Sequence, residues 1–133
     1  MKSFNFLKLL FLVATLSLFA CQKSRTDRTW IVQNSSSSAI QVNATNNYGV
    51  VITANIEVGK SSTLSVDSKE EATTTVTNPG SKFRSISITN ANNETFKKDY
   101  MIETNWEANV EQTKKHPKKY SHEYKLVVKD TDF

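Results

Sequence analysis

Cysteine is nearly absent: Cys21 is the only one in 133 residues, so the chain can form no internal disulfide. Stability must come from burial and backbone pairing rather than covalent cross-links. Glycine and proline are scarce too, at three and two. Three glycines cannot build a phosphate-cradling loop, and no Gly-x-Ser-x-Gly turn carries a nucleophilic serine. There are only two histidines, His116 and His122, whereas a metal site needs three or four ligands. An excess of one charge sign is also missing from the body of the chain. The total is +4, but residues 29–133 hold 12 Lys/Arg against 12 Asp/Glu. A nucleic-acid binder needs a basic footprint on the folded domain itself, so no nucleic-acid partner is expected. No period of 20 to 50 residues recurs, which excludes a repeat array. No apolar run reaches the roughly 20 residues that span a bilayer as a helix.

What the chain has instead is alternation. Trp30 and Val32 alternate with Ile31 and Gln33; Ile40, Val42 and Ala44 with Gln41, Asn43 and Thr45. The longest series is Val50, Ile52, Ala54, Ile56 and Val58, and Leu64 and Val66 resume it after Gly59. Ala72, Thr74 and Val76 form a β-branched run, followed by a turn signal at Asn78, Pro79 and Gly80. Ile86 and Ile88, then Phe96, Tyr100 and Ile102, then Trp106, Ala108 and Val110 continue the pattern. Tyr120, His122, Tyr124, Leu126 and Val128 close it. A period of two is the signature of half-buried strands. Only Glu107 to Lys115 has room for a helical turn. About seven or eight short strands at this spacing predict an all-β fold, an antiparallel β-sandwich. The expected core is Trp30, Ile40, Ile52, Ile56, Leu64, Ile86, Trp106, Leu126 and Val128. Ile56 to Leu64 resembles the strand-turn-strand element of immunoglobulin-like bacterial domains, which makes the sandwich immunoglobulin-like in expectation.

The N-terminus reads as a targeting segment. Lys2 and Lys8 precede an apolar run from Leu9 to Ala20. At about 1.5 Å per residue that run is roughly 18 Å long, the length of a signal core rather than a membrane span. It ends in Leu18, Phe19, Ala20 and Cys21. This stretch resembles the lipobox of bacterial lipoproteins, with Leu18, Ala20 and Cys21 on the pattern. The resemblance implies a signal peptide over residues 1–20, diacylglycerol on the Cys21 thiol, and anchoring in the bilayer through the acyl chains. The lipobox together with a composition rich in Asn, Lys, Ser and Thr resembles the small envelope lipoproteins of the Bacteroidetes. Basic Lys23 and Arg25 after the cysteine then imply an outer-membrane protein facing the periplasm.

Residues 21–28 read as the lipidated cysteine and a flexible tether reaching about 25 Å. Residues 29–133 read as the sandwich domain. The function expected is a membrane-anchored, non-catalytic binding or accessory module with an envelope protein or glycan partner. A protective lipoprotein against a toxin or hydrolase is the alternative, and an enzyme with a scattered site a more remote one. No catalytic residue, cofactor or metal ligand is assigned; Cys21 is the one site residue, for lipidation. Trp30 and Trp106 sit in alternating strands and are expected in the core rather than stacked on sugars. The lysines at 114, 115, 118 and 119 are expected as a solvated loop discouraging edge pairing, against a contact with a membrane or acidic partner. His122 shares the inward phase of its strand and is expected as a hydrogen-bonded core residue.

Overall fold

The computed structural model describes residues 23–133; Cys21 and the signal segment lie outside them. Seven strands follow in order: β1 (Arg25–Asn34), β2 (Ile40–Asn46), β3 (Val51–Ile56), β4 (Ser61–Lys69), β5 (Phe83–Asn90), β6 (Trp106–Lys114) and β7 (Lys119–Val128). They form two sheets, β4-β1-β7-β6 and β3-β2-β5. The protein is an all-β sandwich. Its core takes Trp30 and Val32 from β1, Ile40, Val42 and Ala44 from β2, Phe83 and Ile88 from β5, and Tyr124, Leu126 and Val128 from β7, with single residues from β3, β4 and β6. Alternation explains this set, since residues at i, i+2 and i+4 share one face of a strand. Complete burial of a Leu, Ile or Val is worth about 1.5–3 kcal/mol.

Seven of the nine expected core residues are buried. Ile52 and Ile86 are half-buried on β3 and β5, the two edges of the smaller sheet. Val50, Val58 and Val66 are exposed. Val66 departs from the expected phase because β4 carries a bulge. Trp30 pairs with Ser65 and Ile31 with Thr63, leaving Leu64 as an extra residue. A bulge switches the face of every residue beyond it. Asp67 therefore stands opposite the inward-facing Arg28, and Val66 opposite Thr29 on the outer face.

Several expectations need correction. The sandwich is not wholly antiparallel, because β1 and β7, the central pair of the larger sheet, run parallel from Arg25↔Lys119 to Asn34↔Val128. Its layout is not that of an immunoglobulin constant domain, where strands one, two, four and five share a sheet. Here strands one, four, six and seven do. The domain starts at Arg25 rather than Thr29, so the expected tether loses residues 25–28 to β1. Glu107 to Lys114 is strand, not helix. Neither Ala72 to Val76 nor Phe96 to Ile102 forms a strand.

The registers define two ends. At one lie Arg25, the β2–β3 turn at 46–50, the end of β4 and the β6–β7 hairpin at 114–119. At the other lie the loops at 35–39 and 57–60 and the segment after Val128. We call them the near end and the far end, counted from the side where the chain enters β1.

Candidate functional site

Inward positions of β1 change character toward the near end. Val32 and Trp30 are apolar, but Arg28 and Thr26, on the same face, are polar and buried. His122 on β7 pairs with Arg28 and is also fully buried. A buried polar group without a partner is costly, and here a segment of irregular backbone supplies the partners. The Thr26 hydroxyl donates to the Glu71 carbonyl at 2.6 Å and accepts from the Thr73 amide at 3.1 Å. His122 Nε2 lies 2.8 Å from the Thr73 carbonyl, and Nδ1 lies 3.0 Å from the Tyr124 hydroxyl. A carbonyl can only accept, so Nε2 carries the hydrogen and Nδ1 accepts from Tyr124. Backbone groups around Thr73 are thus used by side chains, which is why Ala72 to Val76 does not join a sheet. His122→Ala is expected to lose about 1–3 kcal/mol, leaving the Thr73 carbonyl and the Tyr124 hydroxyl without these partners. Urea denaturation checks this; an unchanged midpoint would show that the network does not hold the 71–73 segment.

Arg28 is the least satisfied member of this layer. Its side chain is only 4% exposed. Nη2 donates to Glu71 at 3.1 Å, while Nε and Nη1 have no hydrogen-bond partner among the described residues. Nη1 stands 3.9 Å from Asp67 Oδ1, which also lacks a partner there. The other oxygen of Asp67 accepts from Lys82 Nζ at 2.8 Å. The same ammonium lies 4.8 Å from the centroid of the Trp30 ring, a cation–π contact. Two guanidinium nitrogens and one carboxylate oxygen are therefore buried without a hydrogen-bond partner among the described residues, in side chains that line a cleft of about 300 Å³. Asn47, Tyr48, Asn78 and Ser81 contribute to its wall.

The wall is rigid. Asn46 Oδ1 accepts from the amides of Tyr48 and Val50 at 2.9 and 3.0 Å, and Gly49 takes a φ of 82° to close the turn. Glycine adopts that left-handed conformation without the clash a Cβ would bring. Asn47 Nδ2 ties the turn to the Ser81 carbonyl at 2.7 Å. Tyr48 is thereby held out at the lip, 85% exposed.

A second, larger groove of about 670 Å³ opens at the near end, lined by Lys23, Ser24, Arg25, Ser68, Glu70, Lys114 and Lys119. Parallel pairing of β1 with β7 creates it, with Arg25 opposite Lys119 and the Arg25 amide bonded to the Lys118 carbonyl at 3.0 Å. Lys23 pairs with Glu70 at 2.6 Å and Arg25 with Asp27. A hydrogen bond from Ser68 first, and then Arg25, hold the Asp27 carboxyl below its ordinary value of 3.8. All four ion-pair partners are well exposed, so solvent screens the pairs and leaves the local potential to the sum of charges.

The structure separates the residues singled out in the sequence. Cys21 lies outside the described residues. His116 is exposed in the β6–β7 turn, and His122 is buried and bonded inside the sandwich. Among the described residues no three His, Cys, Asp or Glu side chains group to hold a metal ion. Trp30 and Trp106 are core residues whose indole nitrogens bond the carbonyls of Pro79 and Tyr100. The lysine-rich hairpin does not stand alone but meets Lys23 and Arg25. Sequence reasoning missed Arg28 and Asp67, assigning the first to the tether and giving the second no role. One signal was present: Arg28 and Thr26 continue the inward phase of Val32 and Trp30. Compared with known proteins, the chain matches no family model, no curated protein and no solved structure.

Proposed function

We propose that the chain is a lipid-anchored envelope protein whose sandwich is a non-catalytic binding module. Cys21 carries the acyl anchor, in the outer membrane facing the periplasm, and the Arg28–Asp67 cleft takes the ligand. The lipobox residues Leu18, Ala20 and Cys21 support the first half. The second half rests on one observation: Arg28 Nε and Nη1 and Asp67 Oδ1, buried in side chains that line one cleft, have no hydrogen-bond partner among the described residues. Such a set offers donors and an acceptor side by side. It suits a ligand that accepts and donates at neighbouring atoms, as the adjacent hydroxyls of a glycan do. The Tyr48 ring at the lip offers an apolar face for a sugar ring.

Arg28→Met tests the cleft. Replacing a buried, partly paired charge by an apolar side chain of similar length is often neutral or stabilising. The variant should keep or raise its melting temperature, yet bind envelope oligosaccharides about tenfold or more weakly by calorimetry. Equal binding by variant and wild type, or none by either, would reject the cleft as a glycan site. The anchor is tested by Cys21→Ser, which should abolish fatty-acid labelling; equal labelling would refute it.

A further inference from the structure

The near end gathers cations from three separate parts of the chain. Lys23 precedes β1 and Arg25 begins it, Lys69 comes from the end of β4, and Lys114, Lys115, Lys118 and Lys119 from the β6–β7 hairpin. Asp27, Glu70, Glu71 and Glu111 are the acids among them. Seven cations against four anions leave +3 at this end. The whole of residues 23–133 carries 15 Lys/Arg and 13 Asp/Glu, or +2, so the rest of the domain is slightly negative. The charge asymmetry is a product of the fold.

Its position relative to Cys21 follows from covalent length. Lys23 is two residues from Cys21 and can stand no more than about 7 Å from it. Arg25, the first residue of β1, is four residues away and within about 14 Å. An acylated Cys21 sits at the headgroup level, and headgroups fill about 5–8 Å on each side of the hydrocarbon core. Lys23 is then within the headgroup layer and Arg25 at its border. Lys119 pairs with Arg25 and Lys118 bonds to it, so the hairpin is carried to the same level. At physiological salt the screening length is about 8 Å, so charges held within that distance of the lipid phosphates attract them with partial screening.

We propose that Lys23, Arg25 and the 114–119 hairpin form one basic face that seats the domain, with the groove of Lys23, Arg25 and Lys119 against the bilayer, on anionic headgroups of the membrane holding its acyl chains; the Arg28–Asp67 cleft shares no lining residue with that groove. The inference rests on the anchoring of Cys21 proposed above. The seat fixes orientation. The far-end loops, at 35–39 and 57–60, point away from the bilayer.

The test uses the processed, lipidated protein reconstituted into vesicles of phosphatidylcholine, alone or mixed with phosphatidylglycerol. An amine-reactive reagent labels exposed lysines, and mass spectrometry reads each one. In the anionic vesicles Lys23, Lys118 and Lys119 should label about threefold or more slowly than in the neutral ones, while Lys60 and Lys129 at the far end label equally in both. High salt should remove the difference. A triple variant, K115E/K118E/K119E, should still float with the vesicles but lose the protection of Lys23. Equal labelling in both vesicle types overturns the seat while leaving the anchor intact, as does undiminished protection of Lys23 in the triple variant. Protection by inorganic phosphate without vesicles would assign the face to a soluble anion and overturn it too. A wild-type chain that floats with neither vesicle refutes the anchor, and the seat with it.

Discussion

Gly80→Ala should destabilise the domain by about 3 kcal/mol and lower its melting temperature by roughly 10–20 °C. Gly80 is buried in the short 3-10 turn Pro79–Lys82 that leads into β5. A Cβ built there lands on the carbonyl oxygen of Tyr100 and 2.9 Å from Met101 Cα. Both obstacles are backbone, so no side chain can swing aside. Either the 79–82 turn or the 100–101 segment must move. Each is tied to a core tryptophan, Pro79 through its carbonyl to Trp30 Nε1 at 3.1 Å and Tyr100 through its carbonyl to Trp106 Nε1 at 2.7 Å. Movement in either direction therefore strips an indole of its partner as well as opening the core. Thermal unfolding followed by tryptophan fluorescence measures both effects. A variant that melts with the wild type would show that the two backbones do not approach this closely in solution.

Asn34→Ala is expected to cost on the order of 3–4 kcal/mol, although the change removes only a small polar side chain. Asn34 ends β1 with no exposed surface. Its amide donates to the carbonyls of Ser38 at 2.8 Å and Ile56 at 2.9 Å. Its oxygen accepts from the Ser36 amide at 3.0 Å and the Ser36 hydroxyl at 2.6 Å. One side chain thus closes the 35–38 loop and ties β1 across to β3 in the other sheet. Truncation leaves the Ile56 carbonyl and the Ser36 amide without this partner in a buried place, at about 1–3 kcal/mol each, while the Ser38 carbonyl keeps the Ser36 hydroxyl at 3.0 Å. Asn34→Asp should fare no better. It keeps the contacts to Ser36 but sets a carboxylate against two carbonyl oxygens. Guanidinium titration of the three proteins checks the order. A loss below about 1 kcal/mol for the alanine variant would mean that the loop is held by something else.

Asn34 also shows where sequence reading falls short. By composition, Asn34 to Ser38 is a polar turn, and nothing local distinguishes an asparagine that faces solvent from one that bonds two sheets together. Burial depends on Ile56, 22 residues away. Asp67 was illegible for a related reason. A bulge at Leu64 reverses the phase of β4, and no alternation rule announces an extra residue. Phe96 to Ile102 had the period of a strand but builds no ladder on either sheet: its bonds to β5 are the Phe96 amide to the Ile88 carbonyl at 2.8 Å, beside the bridge Thr89↔Thr95, and the Tyr100 hydroxyl to the Arg84 carbonyl at 2.9 Å. Phe96 and Tyr100 still bury part of their rings against the core. The period reported the burial of Phe96 and Tyr100 but not of Ile102, which is exposed, and the pairing was a separate matter.

The sequence by itself determined that the chain is a sandwich of short strands, and largely which side chains face inward. Trp30 and Val32, Ile40 to Ala44, and His122 to Val128 all follow their period. Alternation is a property of neighbours in the chain, and the backbone geometry of a strand converts it directly into faces. It also placed Lys23 and Arg25 within a few residues of Cys21. Only the tertiary structure decided which strands lie side by side and in which direction. A period of two is the same whether a strand pairs parallel or antiparallel, so it could not reveal that β1 lies parallel to β7. That pairing joins Arg25 to Lys119 across 94 residues and turns two unremarkable runs of charge into one basic end. It likewise took a folded chain to bring the 71–73 backbone over Thr26, Arg28 and His122, because a buried polar group is tolerable only where a distant segment arrives to bond it.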